Sequence, residues 1–204
     1  MSSTVEITAK DVKALRDRTG AGMMACKAAL QESGGDIEKA IEILRVKGQA
    51  SAAKRGGRHA AEGVVSSYIH AGGKIGVLIE VGVETDFVAR SESFRAFTHD
   101  LAMHVAAASP HWITRDEVPA GVIEREKAIY AEQVKGKPEN VLEKIVTGKL
   151  EKFFAENCLM EQAFIKDPDR TIEQLRTDLI GVIGENVEVR RFARYQLGES
   201  IEQS

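Results

Sequence analysis

Residues 64–90 read VVSSYIHAGGKIGVLIEVGVETDFVAR, and they join two strand-like runs, a glycine pair and an acidic–aromatic pair. The pair Gly72-Gly73 separates the two apolar runs, which predicts a β-hairpin with a tight turn. From Ile75 to Val83 every second residue is branched and apolar, whereas the residues between them include glycine and glutamate. The branched set should therefore be the buried face of the second strand.

A third strand is predicted near the end of the chain, where residues 186–198 (NVEVRRFARYQLG) alternate in polarity. Residues 161–167 (EQAFIKD) are a further, short candidate strand. Helices are predicted on both sides of these segments: one carries an apolar stripe from Phe94 to Ala108 and ends at Ser109-Pro110, and another covers RTIEQLRTDLIGVIG at 170–184. The fold class is thus α+β, with a three-stranded antiparallel sheet and helices on one face.

Ahead of the sheet, residues 4–47 predict a module of three short helices. Thr8 can cap the first helix, Gly34-Gly35 can break the second, and Asp36 can cap the third. Gly48 is the predicted end of that third helix. The following GQASAAKRGGRHAAEG is small, polar and basic, which predicts a solvated linker. We place a first domain at 1–54 and a core domain at 55–204.

A charged segment at about 116–157 predicts two helices joined at Gly136-Lys137-Pro138. A short joint makes such helices fold back as an antiparallel hairpin. Its apolar positions form only a narrow seam, so we expect this arm to project from the core domain.

Composition indicates an ordinary soluble protein. The 204 residues are 43% apolar and 29% charged, with a formal net charge of −3. No apolar run approaches the length of a membrane span, and the N-terminus lacks the apolar core of a signal peptide. Two distant cysteines favour the reducing cytoplasm.

Residues 1–60 hold 11 basic and 7 acidic side chains, so the rest of the chain carries a net charge of −7. This acidic body argues against direct nucleic-acid binding by the whole protein.

Three common motifs of enzymes do not occur in the sequence. No phosphate-binding glycine loop, dinucleotide fingerprint or nucleophile elbow occurs. His99 and His104 are five residues apart, which puts them on different sides of a helix and predicts no shared metal. The sequence therefore favours a binding protein that needs no cofactor. Two rival classes remain: an adaptor that binds protein or RNA through the basic first 60 residues, and a metal-dependent hydrolase.

Asp86-Phe87 is the leading candidate for a site. Phe87 continues the alternation from Val83, so it could close the core; alternatively it is a protruding wedge that fits a partner's pocket. Asp86 could be a cap or turn acid, or it could disturb a metal or phosphate network in a partner. His104, between Met103 and Val105, is expected to be a hydrogen-bonded helix histidine.

Six ordered motifs cover nearly the whole chain: LRDRTGAGMMACKAAL, GGDIEKAIEILRVKG, TDFVAR, LAMHVAAASP, GKPENVLEKIVTGKLEKFF and IGENVEVRRFARYQLGE. Together they resemble the elongation factor Ts family. The resemblance implies a guanine-nucleotide exchange factor that binds GDP-bound elongation factor Tu and promotes GDP release, without being an enzyme in the bond-breaking sense. It also implies a UBA-like fold for the three-helix module and a coiled-coil arm.

The same resemblance assigns roles to residues. Displacement of Mg²⁺ from the partner would fall to Thr85, Asp86, Phe87 and Val88. Contacts with the partner would come from Arg18, Thr19, Gly20, Met23, Met24, His104 and Val105. Longer relatives carry two related half-cores, and this chain carries one. As in short members of the family, a second copy could supply the other half, which suggests a symmetric homodimer.

Overall fold

The computed structural model describes residues 7–199 and divides them into two compact units. The first unit comprises residues 7–64, 82–97 and 175–188, and the second comprises 65–81, 98–174 and 189–199. The predicted domain boundary at 54–55 stays a prediction. Residues 4–6 of the predicted three-helix module lie outside the described residues.

The three-helix module consists of α1 (Ala9–Thr19), α2 (Met23–Ser33) and α3 (Ile37–Arg55). Thr8 and Asp11 form a reciprocal capping box at the start of α1, and the Asp36 side chain accepts a hydrogen bond from the Lys39 N–H at the start of α3. Gly34 ends α2 in the left-handed conformation that glycine adopts without strain. The buried residues that hold the module together are Val12, Leu15, Cys26, Ala29, Leu30 and Ala40.

The end predicted for α3 at Gly48 is wrong, because the helix continues to Arg55. The alanines of GQASAAKR favour the helix and offset the cost of an interior glycine. The helix backbone at Gly48 lies close to Gly181, and the approach depends on the missing side chain of Gly181: a Cβ atom added there would lie 3.1 Å from the Gly48 Cα. Residues 48–55 of the predicted linker are therefore helix.

The predicted hairpin is confirmed as β1 (Glu62–Ile69) and β2 (Ile75–Val83), with Gly72 and Gly73 at positive φ. The buried face of β2 is also confirmed from Val77 to Val83, while Ile75 is half-buried. With β5 (Val187–Gln196) these strands form a three-stranded antiparallel sheet in the order β1-β2-β5. The α+β class is confirmed.

The alternation of buried and exposed residues along β5 shifts by one residue at Arg190-Arg191. Both arginines are exposed, and both reach Glu80: the nearest atoms are 3.4 Å apart for Arg190 and 2.7 Å for Arg191. Consecutive residues of a regular strand point to opposite faces, so this arrangement marks a local irregularity. Beyond it, Phe192 and Arg194 are the half-buried residues.

The helices around the sheet begin with α4 (Asp86–Ala89) and α5 (Glu92–Ala108), and α8 (Ile172–Ile183) precedes β5. The candidate strand at 161–167 is only Ala163–Phe164 (β3), which pairs antiparallel with β4 (Asp167–Thr171). The sequence did not predict β4, because its residues DPDRT are polar and include a proline.

The predicted helical hairpin is confirmed as α6 (Ala120–Gln133) and α7 (Glu139–Asn157). Its base packs around Val118, Phe154 and Cys158. Arg115 stabilises this base. Its guanidinium donates hydrogen bonds to Glu151 and Glu161 and lies 4.6 Å from the centre of the Phe154 ring.

Candidate partner-binding site

The Thr85–Val88 segment presents an aromatic side chain to solvent. Phe87 is 81% exposed, whereas its neighbours Val88 and Ala89 are buried. The strand alternation stops at Val83 because the chain turns into α4, with the Thr85 hydroxyl accepting a hydrogen bond from the Val88 N–H. The interpretation of Phe87 as a residue that closes the core is therefore wrong. α4 is buried through Val88 and Ala89, and the Phe87 ring remains free for a partner.

Asp86 lies in the first turn of α4, next to the capping residue Thr85. Its carboxylate accepts a hydrogen bond from the Arg90 guanidinium at 2.5 Å, one helical turn further on. Both side chains are mostly exposed, so this pair stabilises α4 only weakly. Asp86 is thus a turn acid that a partner could still reach.

A carboxylate that the sequence analysis did not single out holds the start of α4. Glu185 accepts hydrogen bonds from the Thr85 N–H (2.9 Å) and from the Thr85 hydroxyl (2.7 Å). The two residues are 100 positions apart, and no periodicity or local motif links them.

A second set of candidate residues lies at the junction of α1 and α2. Arg18 and Gly20 are exposed. Thr19 is half-buried, and its hydroxyl donates a hydrogen bond to the Leu15 carbonyl. Met23 is 44% exposed and Met24 is 78% exposed at the start of α2. Exposed methionines adapt readily to a partner's surface. This surface and α4 belong to the same compact unit.

His104 and Val105 are fully buried within the second unit, so neither is on a surface that a partner can touch in this structure. The Gln162 amide NH₂ donates to the carbonyls of Ala108 and Glu156, which leaves its oxygen to accept from His104 Nε2 at 2.9 Å. His104 Nδ1 then accepts from the Ile165 N–H. Burial lowers the pKa of His104. The prediction of a hydrogen-bonded helix histidine is confirmed.

The described part of the chain, residues 7–199, contains no group of three or more His, Cys, Asp or Glu side chains that could hold a metal ion. Among the same residues, no helix has the length and hydropathy needed to cross a membrane. The side chains that the structure exposes at α4 and at the start of α2 are suited to protein contact.

Comparison with known proteins agrees with this reading. A family model described as Elongation factor TS matches residues 2–199. Elongation factor Ts of Geobacter sulfurreducens is 58% identical over 200 residues, which are 97% of this chain and 93% of that protein. The protein of the same name from Moorella thermoacetica is 60% identical over 200 residues (97% and 98%). That from Acetivibrio thermocellus is 59% identical over 198 residues (96% and 92%).

Fold and site together define an α+β protein whose candidate site consists of exposed side chains suited to contact with another protein. The chain belongs to the elongation factor Ts family. This family is that of the nucleotide exchange factors for elongation factor Tu.

Proposed function

We propose that this protein binds GDP-bound elongation factor Tu in the cytoplasm and promotes GDP release by disturbing the Mg²⁺ and phosphate site. The observation that carries the proposal is the exposure of Phe87 beside two buried neighbours. An aromatic ring held in this way can enter a pocket without any rearrangement of its own chain. Burying such a ring in a partner is worth roughly 1.5–3 kcal/mol.

Mg²⁺ is the sensitive element of the partner's site. The ion requires near-ideal octahedral geometry, so a shift of an ångström or so in the surrounding chain weakens its hold on the β-phosphate. Phe87 supplies the apolar anchor for such a shift, and Asp86 perturbs the polar groups around the ion. Thr85 and Val88 fix the two ends of the wedge. Because coupling between two ligands is reciprocal, the factor and GDP weaken each other's binding to the partner.

The three-helix module, with a UBA-like fold, supplies the docking contacts in this proposal. Its surface is formed by Arg18, Thr19, Gly20, Met23 and Met24. His104 and Val105 support the core from the interior and would reach a partner only if the chain around them opened. In the same proposal, the arm of α6 and α7 is a short coiled coil.

A second copy of the chain is also part of the proposal. In the second unit the outer face of the sheet carries exposed apolar side chains, namely Val65, Ile69, Leu78 and Tyr195. Exposed apolar groups on one sheet face indicate a protein interface. A homodimer through this face should become monomeric when Leu78 is changed to Asp, as measured by sedimentation equilibrium; an unchanged mass rejects the interface.

The wedge is tested by stopped-flow release of a fluorescent GDP from elongation factor Tu. Phe87→Ala should slow stimulated release about ten- to a hundredfold, because 1.5–3 kcal/mol of partner contact is lost. Val46→Ala is the matched control, since Val46 is an exposed apolar residue of the same unit. An undiminished rate for Phe87→Ala rejects the proposed mechanism.

A further inference from the structure

We propose that Glu185 is a positioning residue for the wedge: its carboxylate fixes Thr85 and thereby the direction in which α4 presents Phe87. This inference rests on the proposed function and adds a residue that acts through Thr85. The connection is made within the first unit, between the end of β2 and the turn that links α8 to β5.

α4 needs an external support because it is only four residues long. A helix of this length is unstable by itself, since one turn fixes several backbone angles for a single hydrogen bond. Val88 and Ala89 anchor its second half by burial. Its first half has no buried apolar side chain, and Glu185 is the group that holds it.

Each hydrogen bond between α4, Thr85 and Glu185 is donated in the direction of Glu185. The Thr85 hydroxyl donates its single proton to Glu185 at 2.7 Å, so its lone pairs are left to accept from the Val88 N–H at 3.4 Å. The Thr85 N–H donates to the other carboxylate oxygen at 2.9 Å. Glu185 therefore sets the orientation of the helix cap, and an ionised acceptor strengthens each bond that it receives.

A reciprocal contact fixes Glu185 in turn. Glu84 accepts a hydrogen bond from the Asn186 N–H at 2.7 Å, so each of the two segments gives a carboxylate to a backbone N–H of the other. The Asn186 side chain, only 4% exposed, donates to the Arg58 carbonyl at 2.8 Å. Gly184, at a φ of 76°, makes the turn that brings Glu185 into place. The wedge is thus connected, through Glu185 and Asn186, to the turn between α8 and β5 and to the backbone of Arg58.

The first experiment needs no partner. Hydrogen exchange in Glu185→Ala should become at least about tenfold faster at the amides of Thr85 and Val88. The Thr85 N–H loses its acceptor, and the Thr85 hydroxyl that accepts from the Val88 N–H is no longer held in place. Glu185→Gln retains one acceptor oxygen and should give a smaller increase. Glu199→Gln is the matched control. Glu199, like Glu185, accepts one hydrogen bond from a backbone N–H and a second from a side chain, here an arginine, but it lies in the other unit. Unchanged exchange at Thr85 and Val88 in Glu185→Ala overturns the inference.

The second experiment is a double-mutant cycle on GDP release at saturating factor. Glu185→Ala should slow release about tenfold alone and add nothing to Phe87→Ala, because a wedge without its ring has nothing left to direct. Additive effects would mean that Glu185 acts elsewhere and would overturn the inference. Faster amide exchange together with a normal release rate for Phe87→Ala would instead reject the wedge itself, so the two failures are distinguishable. If Glu185→Ala does not fold, Glu185→Gln is carried through the same cycle.

Discussion

Gly48 of α3 and Gly181 of α8 let two helix backbones approach closely. A Cβ atom added at Gly181 would lie 3.1 Å from the Gly48 Cα, whereas one added at Gly48 would lie 3.9 Å from the Gly181 Cα. The first distance is shorter than normal van der Waals contact, and the second is an ordinary one. The two glycines are therefore unequal in what they tolerate.

Gly48→Ala should stabilise the protein by up to about 1 kcal/mol, because alanine is the better helix former and its methyl group fits. Gly181→Ala gains the same propensity but pushes against backbone, so the free energy of unfolding should rise less or fall. Urea denaturation of both variants measures the difference. Equal free energies of unfolding for the two variants would contradict this prediction, because they would show that α3 and α8 can move apart at no free-energy cost.

Much of the fold follows from local patterns that the sequence displays. The face of β2 from Val77 to Val83 is buried as its alternation predicts, and the caps at Thr8 and Asp36 lie where their side chains predict them. Gly48 is different: a glycine near a helix end resembles a terminator, but the alanines that follow it favour the helix, which continues to Arg55.

The candidate site was predictable only in part. Motif resemblance singled out Thr85–Val88. The strand alternation alone could not decide whether Phe87 is buried or exposed, because an alternating pattern does not show where the strand ends. Glu185 could not be found from sequence, since a hydrogen bond across 100 residues leaves no local signal. His104 was assigned a partner contact by resemblance, yet its neighbours in space enclose it completely.

The proposal that the three-helix module docks on the partner predicts that Met24 is sensitive to charge. Met24→Asp should weaken binding to elongation factor Tu about tenfold or more, because a carboxylate would be buried against an apolar contact. Isothermal titration measures the Kd. Val46→Asp introduces the same charge at another exposed apolar position of the module and should leave the Kd unchanged. Equal effects of the two variants would contradict docking through the start of α2.

The two cysteines should be inert in the folded protein. Cys26 and Cys158 are both fully buried, and burial raises the pKa of the Cys158 thiol to about 11. At pH 8 only about one Cys158 thiol in a thousand would be ionised, and the thiolate is the reactive form. Titration with Ellman's reagent should detect no thiol before denaturation and two afterwards. Rapid reaction of the native protein would contradict this packing.

His104 should make the protein less stable in acid. Its pKa lies below the ordinary value of 6.5 because burial disfavours the charged ring. As the pH falls through about 6.5, the unfolded chain binds a proton at this residue that the folded chain does not, so the free energy of unfolding decreases. Above pH 7 the ring is neutral in both the folded and the unfolded chain, and the effect vanishes.

Urea unfolding between pH 7.5 and 5.5 should show that His104→Gln loses less free energy of unfolding in acid than the wild type. His99→Gln, at an exposed histidine of the same helix, should retain the wild-type slope. If His104→Gln loses stability in acid as steeply as the wild type, other groups cause the pH dependence.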